Sequence, residues 1–282
     1  ERGGQRTMRT FLGASLRMQA GDFPADEAFG DKPRLLHVEG YTLYRPALAK
    51  QAMREAKQRG ALVSLDLASF EVVRNCRAAL VEILNEGHVD LLFANEDEAA
   101  ELLRGDSDSE EGRAFQERRY SGEDEDDKET FSRRDADDAM RWMLRHCSFA
   151  TVSLGARGCV SMDKAGSRGV APGVRVPVVD TTGAGDAFTA GYLAAFLNGA
   201  SPQACASAGC AVGTAAVQVL GAELSFAKWA ELRSVVLGVV ERDGEFRRAR
   251  GTGADGEDED GSRASHERAA NEGASVEASV GA

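Results

Sequence analysis

Four residues, Gly183-Ala184-Gly185-Asp186, place three small side chains directly ahead of a carboxylate. They lie where a β-branched run meets a long apolar stretch, VVDTTGAGDAFTAGYLAAF (178–196). A helix starting here presents unpaired N–H groups and partial positive charge, and small residues let an anion approach them closely. That is the chemistry of an anion hole. The Asp186 carboxylate is out of place in a site built only to hold negative charge. In phosphoryl transfer it has a use: the hole stabilises charge on the transferring group while the carboxylate takes a proton from the attacking hydroxyl. The bland alternative is an aspartate in a first helical turn, favoured by the helix dipole. These four residues alone leave both readings open.

Other motifs are fewer. The sequence holds no G-x-x-x-x-G-K-[ST], and GAGDAF lacks the third glycine of the dinucleotide fingerprint. Five cysteines (76, 147, 159, 205 and 210) form no C-x-x-C pair and no even framework, and they read as reduced, mostly buried thiols in a reducing compartment. The four histidines are dispersed, without metal-binding spacing, so no zinc site is expected.

The elements that must position these residues alternate. LLHVEGY (35–41), ALVSLDL (61–67), VDLLFA (89–94) and FATVSL (149–154) read as strands, with further strands around 158–176 and VPVV (176–179) as another. Between them, helical spacing spans 46–59, 70–86, 96–104 and 136–146. Three more helices follow near 184–197, 202–219 and 225–240. Ser201-Pro202 supplies a cap-then-proline start and Gly60 a stop. Strands alternating with helices of this length predict βαβ units and a parallel sheet.

The net charge of −12 is concentrated in acidic runs such as EDEDDKE (123–129) and DGEDEDG (255–261). Such a chain repels a phosphate backbone, and no nucleic-acid partner is expected. No apolar window reaches membrane-helix length, and no secretory signal heads the chain, so no membrane partner is expected. The first residue is Glu1, which suggests that the sequence starts inside a longer chain. Residues 105–134 and 249–282 are polar and lack apolar periodicity. Both are expected to be unstructured, a solvated acidic insert and a tail.

The string DTTGAGDAF (180–188) resembles the C-terminal signature of the ribokinase-like (PfkB) family of carbohydrate and nucleoside kinases. FANEDEAAELL (93–103) resembles that family's N-x-x-E element, and TVSLGARGCV (151–160) its strand-turn-strand beside the nucleotide phosphates. RTMRTFLGAS and HVEGYTLYRPALAKQAMREAKQRGALVSLDLASFEVVRN look like the adenosine-kinase-like branch. The resemblance covers about residues 4–240 apart from the insert. It implies a three-layer α/β/α fold with a central, mostly parallel sheet over 35–104 and 135–245, and the remnant of a small β lid over 1–34.

The resemblance also implies roles. Asp186 would be the general base, with the backbone of Gly183, Ala184, Gly185 and Asp186 as the anion hole. Asn95 and Glu98 would organise Mg2+ and the phosphates of ATP, Glu98 through water; read alone, Glu98 is a solvated helix residue. Ser153, Gly155 and Gly158 would line the triphosphate, although LGARG is also reasonable hairpin chemistry. Gly221 would belong to the turn flanking the adenine, with Cys210 nearby. A monovalent cation such as K+ would sit by Asp180 and Thr182, although Asp180 could simply fix the turn. Glu223 stands where relatives carry a basic residue. The family's opening strand, its substrate-binding aspartate and its glycine pair have no counterpart here.

The resemblance therefore implies an ATP-dependent transfer of phosphate to a hydroxymethyl group of a small-molecule sugar or nucleoside, with pairing of two copies through the lid. The other reading is a non-catalytic nucleotide-binding or regulatory member. Cysteine usage points to the cytoplasm or to an organelle such as a plastid.

Overall fold

The computed structural model describes residue 11, residues 13–120 and residues 131–251. The chain divides into two compact units, Glu1–Asp243 and Gly244–Ala282. Of the second, only residues 244–251 are described, as the end of a helix.

The strands are short apolar runs. β1 (Leu35–Glu39), β2 (Leu62–Asp66), β3 (Leu91–Asn95) and β4 (Phe149–Ser153) pair in parallel; β5 (Cys159–Asp163) and β6 (Arg168–Ala171) continue the sheet antiparallel. The sheet order follows the sequence, β1-β2-β3-β4-β5-β6. Alternate strand residues face opposite layers, as strand geometry requires. On one face, Val63, Leu65, Leu92, Ala94 and Val152 join the first core. Its helices are α2 (Pro46–Gln58), α4 (Arg77–Asn85), α5 (Glu96–Arg104) and α7 (Arg133–Met143), which supply Met53, Ile83, Leu102 and Met140. On the other face, Leu91, Phe93, Cys159 and Ala171 join a second core. It draws on α8 (Ala184–Leu197), α9 (Pro202–Ala216) and α10 (Phe226–Gly251) through Tyr192, Val212 and Leu232. Burial on both faces is why these strands read as continuous apolar runs.

The α8–α9 contact depends on missing side chains. A methyl at Gly191 would meet Val212 Cγ2 at 2.7 Å and Ala208 O at 2.9 Å, and one at Gly209 would meet the Phe188 ring at 2.8 Å. These glycines let the two helix backbones approach closely.

Several boundaries differ from the sequence reading. The helix expected over 70–86 breaks at Cys76 into α3 (Phe70–Asn75) and α4. Residues 176–179 form no strand and join no strand pair; Val179 N–H donates to Val217 O instead. Among the described residues of 1–34, the chain forms two 3-10 turns and the short helix α1 (Ala25–Phe29), and no lid strand. Residues 1–10 and 12 lie outside the described residues.

The expectation that 105–134 is unstructured fails for its first half. Residues Glu110–Tyr120 form α6. Phe115 is buried, Arg119 lies over its ring, and Arg118 pairs with Asp135 at 2.7 Å and with Asp138, both on α7. Two buried carboxylates thus neutralise a basic side chain that composition alone treats as solvated. Phe131 is buried as well. Residues 121–130 lie outside the described residues, as does the expected tail beyond 251.

Candidate active site

Register alone assembles one wall of a cleft. In the parallel ladder Glu39 pairs with Asp66, Asp66 with Phe93, and Asn95 with Ser153, so the C-terminal ends of four neighbouring strands share one edge. Ligands of open α/β sheets bind outside these carboxyl ends. Here a cleft of about 370 Å³ opens, lined at the strand ends by Glu39, Asp66, Asn95, Glu98 and Ser153. The first turn of α8 closes it with Thr182, Gly183, Gly185 and Asp186.

Gly183 is the N-cap of α8 and has φ +73°, with no side-chain cap. A Cβ there would be strained and would lie 2.8 Å from the Ala222 Cβ. A Cβ on Gly185 would meet nothing within 4 Å, so its missing side chain leaves open space at the helix end. Among the described residues, the amides of Gly183, Gly185 and Asp186 make no hydrogen bond, whereas Ala184 N–H is taken by Thr181 O at 3.3 Å. Of the four expected donors, three are therefore without an acceptor among the described residues. The Asp186 side chain is exposed to the cleft and has no hydrogen-bond partner among the described residues.

Asn95 and Glu98 form a reciprocal capping box at the start of α5. Glu98 N–H donates to Asn95 Oδ1 at 2.9 Å, and Asn95 N–H and Nδ2 donate to the two Glu98 carboxylate oxygens at 2.8 and 2.7 Å. The solvated reading of Glu98 fails, because it is only 2% exposed. Burial and the nearby Asp66 charge push its carboxyl up to about 8. Asp66 itself is pushed up to about 6, chiefly by burial. Asp66 Oδ1 accepts from Ala68 N–H at 2.9 Å, where Ala68 has φ +65°, and Oδ2 accepts from Thr189 Oγ1 at 3.2 Å. Crowded carboxylates with raised pKa values are relieved by a nearby positive charge, yet among the described residues no three His, Cys, Asp or Glu side chains come together as a metal site.

The remaining expected residues divide between the cleft and the turns around it. Asp180 is buried, and its Oδ1 accepts from Thr182 N–H and Oγ1 at 2.9 and 2.7 Å, its Oδ2 from Gly221 N–H at 2.9 Å. It splints the turns before α8 and after α9. Gly221 has φ +81°, and neither it nor Asp180 lines the cleft. Ser153 lines it, but Gly155 and Gly158 do not. A Cβ on Gly158 would fall 1.9 Å from Ala171 O, so this glycine is dictated by the close approach of the chain after β6.

Four polar cleft residues escaped the sequence reading: Glu39, Tyr41, Asp66 and Thr189. For Glu39 and Asp66 a usable signal existed, a carboxylate ending an apolar strand run.

The fold defines a ribokinase-like α/β protein with a cleft at its strand ends. The pfkB family carbohydrate kinase model matches residues 1–229, and the chain belongs to that family. It is 31% identical over 156 residues to the ATP-dependent ribose-1-phosphate kinase of Halopiger xanaduensis, covering 55% of this chain and 40% of that protein. The adenosine kinase structure from Sinorhizobium meliloti matches with a TM-score of 0.65 at 28% identity, over 83% of this chain and 63% of that one. A probable sugar kinase from Rhizobium etli matches with a TM-score of 0.64 at 27% identity, over 82% and 63%. The chain thus spans less than two thirds of the length of these relatives. Among the described residues, no helix is long and apolar enough to cross a membrane.

Proposed function

We propose that the chain carries the nucleotide-binding side of a phosphotransferase that moves the γ-phosphate of ATP to a hydroxymethyl group of a sugar or nucleoside. The observation that carries this reading is the exposed, partnerless Asp186 carboxylate next to three free amides at the N-terminus of α8. The Asp186 carboxylate accepts the proton of the attacking hydroxyl. The amides of Gly183, Gly185 and Asp186 hold negative charge on the transferring group, aided by the helix dipole. Gly185 leaves the room a phosphate needs. Asn95 and Glu98 would hold magnesium, Glu98 through water, and when bound the ion supplies neutralising charge across the phosphates. The Asp180 splint keeps Thr182 at the cleft mouth, where it and Asp180 would border a monovalent cation such as K+. Glu39, Asp66 and Tyr41 offer acceptors and a ring to a ligand rich in hydroxyl groups, which favours a sugar or nucleoside.

The test is ATP-dependent phosphorylation by the intact protein of a panel holding adenosine, other nucleosides, ribose, fructose and related sugars. Asp186→Asn should lower turnover about 10²- to 10⁴-fold while ATP still binds. If no panel member turns over and Asp186→Asn changes nothing, the non-catalytic reading replaces this one.

A further inference from the structure

Two cysteines that the sequence leaves unpaired meet in the fold. Cys159 opens β5 and Cys210 lies on α9, 51 residues further on, and their Sγ atoms are 3.6 Å apart. The contact is built from both sides. Cys159 Sγ also donates to Ala206 O at 3.8 Å, one helical turn before Cys210. Cys210 Sγ reaches Ala171 O at 4.0 Å, and Ala171 is the register partner of Cys159 across β5 and β6. Cys159 is buried beneath the helix, whereas Cys210 is half-buried.

We propose that Cys159 and Cys210 form a peroxide-sensitive dithiol that closes to a disulfide and staples β5 to α9. A disulfide needs its sulfurs about 2.05 Å apart, so closure moves them together by about 1.5 Å. A side-chain rotation at the half-buried Cys210 is the natural source of that movement.

The polarity of the pair says which sulfur reacts first. Once Cys210 ionises, the Cys159 thiol donates to it; this hydrogen bond lowers the Cys210 pKa and raises that of Cys159. Of the two, the less buried Cys210 therefore ionises the more readily, and the thiolate is the reactive form. Its sulfur attacks one oxygen of hydrogen peroxide, the O–O bond breaks, and hydroxide leaves Cys210 as a sulfenic acid. The Cys159 sulfur then attacks the sulfenic sulfur, the S–O bond breaks, and the departing hydroxyl takes up the Cys159 proton as water. In sum, two thiols and one peroxide give one disulfide and two waters.

The experiment treats the intact protein with a few equivalents of hydrogen peroxide, blocks remaining thiols with iodoacetamide, and digests it with trypsin without reductant. Cys159 falls in the peptide 158–164. Cys205 and Cys210 share the peptide 176–228, which has no internal Lys or Arg. The expected product joins these two peptides with loss of two hydrogens. It persists in Cys205→Ser and disappears in Cys210→Ser. The closed loop should also raise Tm by on the order of 5 °C, reversed by dithiothreitol. A Cys210 found as sulfinic acid or alkylated thiol beside an alkylatable Cys159 would overturn the proposal, as would a link from Cys159 to Cys205. The peptide map of the unmodified protein decides even if Cys210→Ser fails to fold.

Discussion

Thr189 Oγ1 donates to Asp66 Oδ2 across 3.2 Å, tying the first turns of α8 to the end of β2. The residue that would act as base, Asp186, lies on that same helix. The bond therefore fixes the helix end against the sheet edge on which the other cleft carboxylates sit. Thr189→Val keeps the shape and removes the donor. It should cost about 1 kcal/mol, read as a fall in Tm of about 2–4 °C. An unchanged Tm would mean the two groups are equally well satisfied apart.

The two glycines before Asp186 should separate stability from binding. Gly183 has φ +73° and its Cβ would crowd Ala222, so Gly183→Ala should destabilise by at least about 1 kcal/mol and weaken ATP binding together. Gly185 has open space and sits within the helix, so Gly185→Ala should leave Tm unchanged or slightly raised. ATP affinity should still fall, because the added methyl occupies phosphate space. Thermal scans and ATP titration on both variants check this. Intact ATP binding in Gly185→Ala would remove the cradle from this helix end.

Glu98 gives a pH dependence with a definite sign. Its folded pKa, about 8, lies above the ordinary carboxyl value of 4.5. The group then contributes stability that is fully present below about pH 4.5 and lost as pH rises through about 8. Without divalent cation the protein should therefore weaken across this range, by an amount on the order of a few kcal/mol. Glu98→Gln should flatten that slope and be the more stable form at pH 8–9. Urea melts at pH 5, 7 and 9 in chelator measure it. Parallel slopes for both proteins would place the titration elsewhere.

The docked helix α6 should depend on one ring. Phe115→Ala empties the only large buried apolar position on α6 among the described residues and should cost about 3–5 kcal/mol if α6 folds with the core. If α6 instead detaches alone, the cost is smaller and cleavage by trypsin after Arg113, Arg118 and Arg119 accelerates. Limited proteolysis beside a melting curve tells the two apart, and no change in either would mean that α6 does not dock through Phe115.

Much of this was legible in the chain. Strand runs such as VDLLFA are apolar at every position because both faces of β3 are covered, and that pattern survives in one dimension. GAGD and N-x-x-E were legible because each is local: a capping box needs only residues three apart, and Asn95 and Glu98 make one. What escaped was made by register. Glu39 and Asp66 stand 27 residues apart and become neighbours only when β1 and β2 pair. The Cys159–Cys210 contact is of the same kind. Residues 110–120 escaped for another reason: their composition is that of solvated chain, and a single phenylalanine with one well-matched arginine decides otherwise. Gly158 shows the limit of such a reading, because a glycine that admits a ligand and one that admits another stretch of backbone look alike in sequence.

The α8–α9 contact bears on which sequences can succeed this one. At Gly191 and Gly209 the neighbouring helix already fills the place of a methyl group. Lineages carrying this protein can therefore drift freely on the outer faces of the two helices but not along the seam between them. In a library of all single substitutions, Gly185 should be depleted only when selection acts on turnover. Gly191 and Gly209 should vanish from a mere count of how much protein each cell contains. Two glycine populations, indistinguishable by letter, would thus be sorted by the kind of selection that removes their variants.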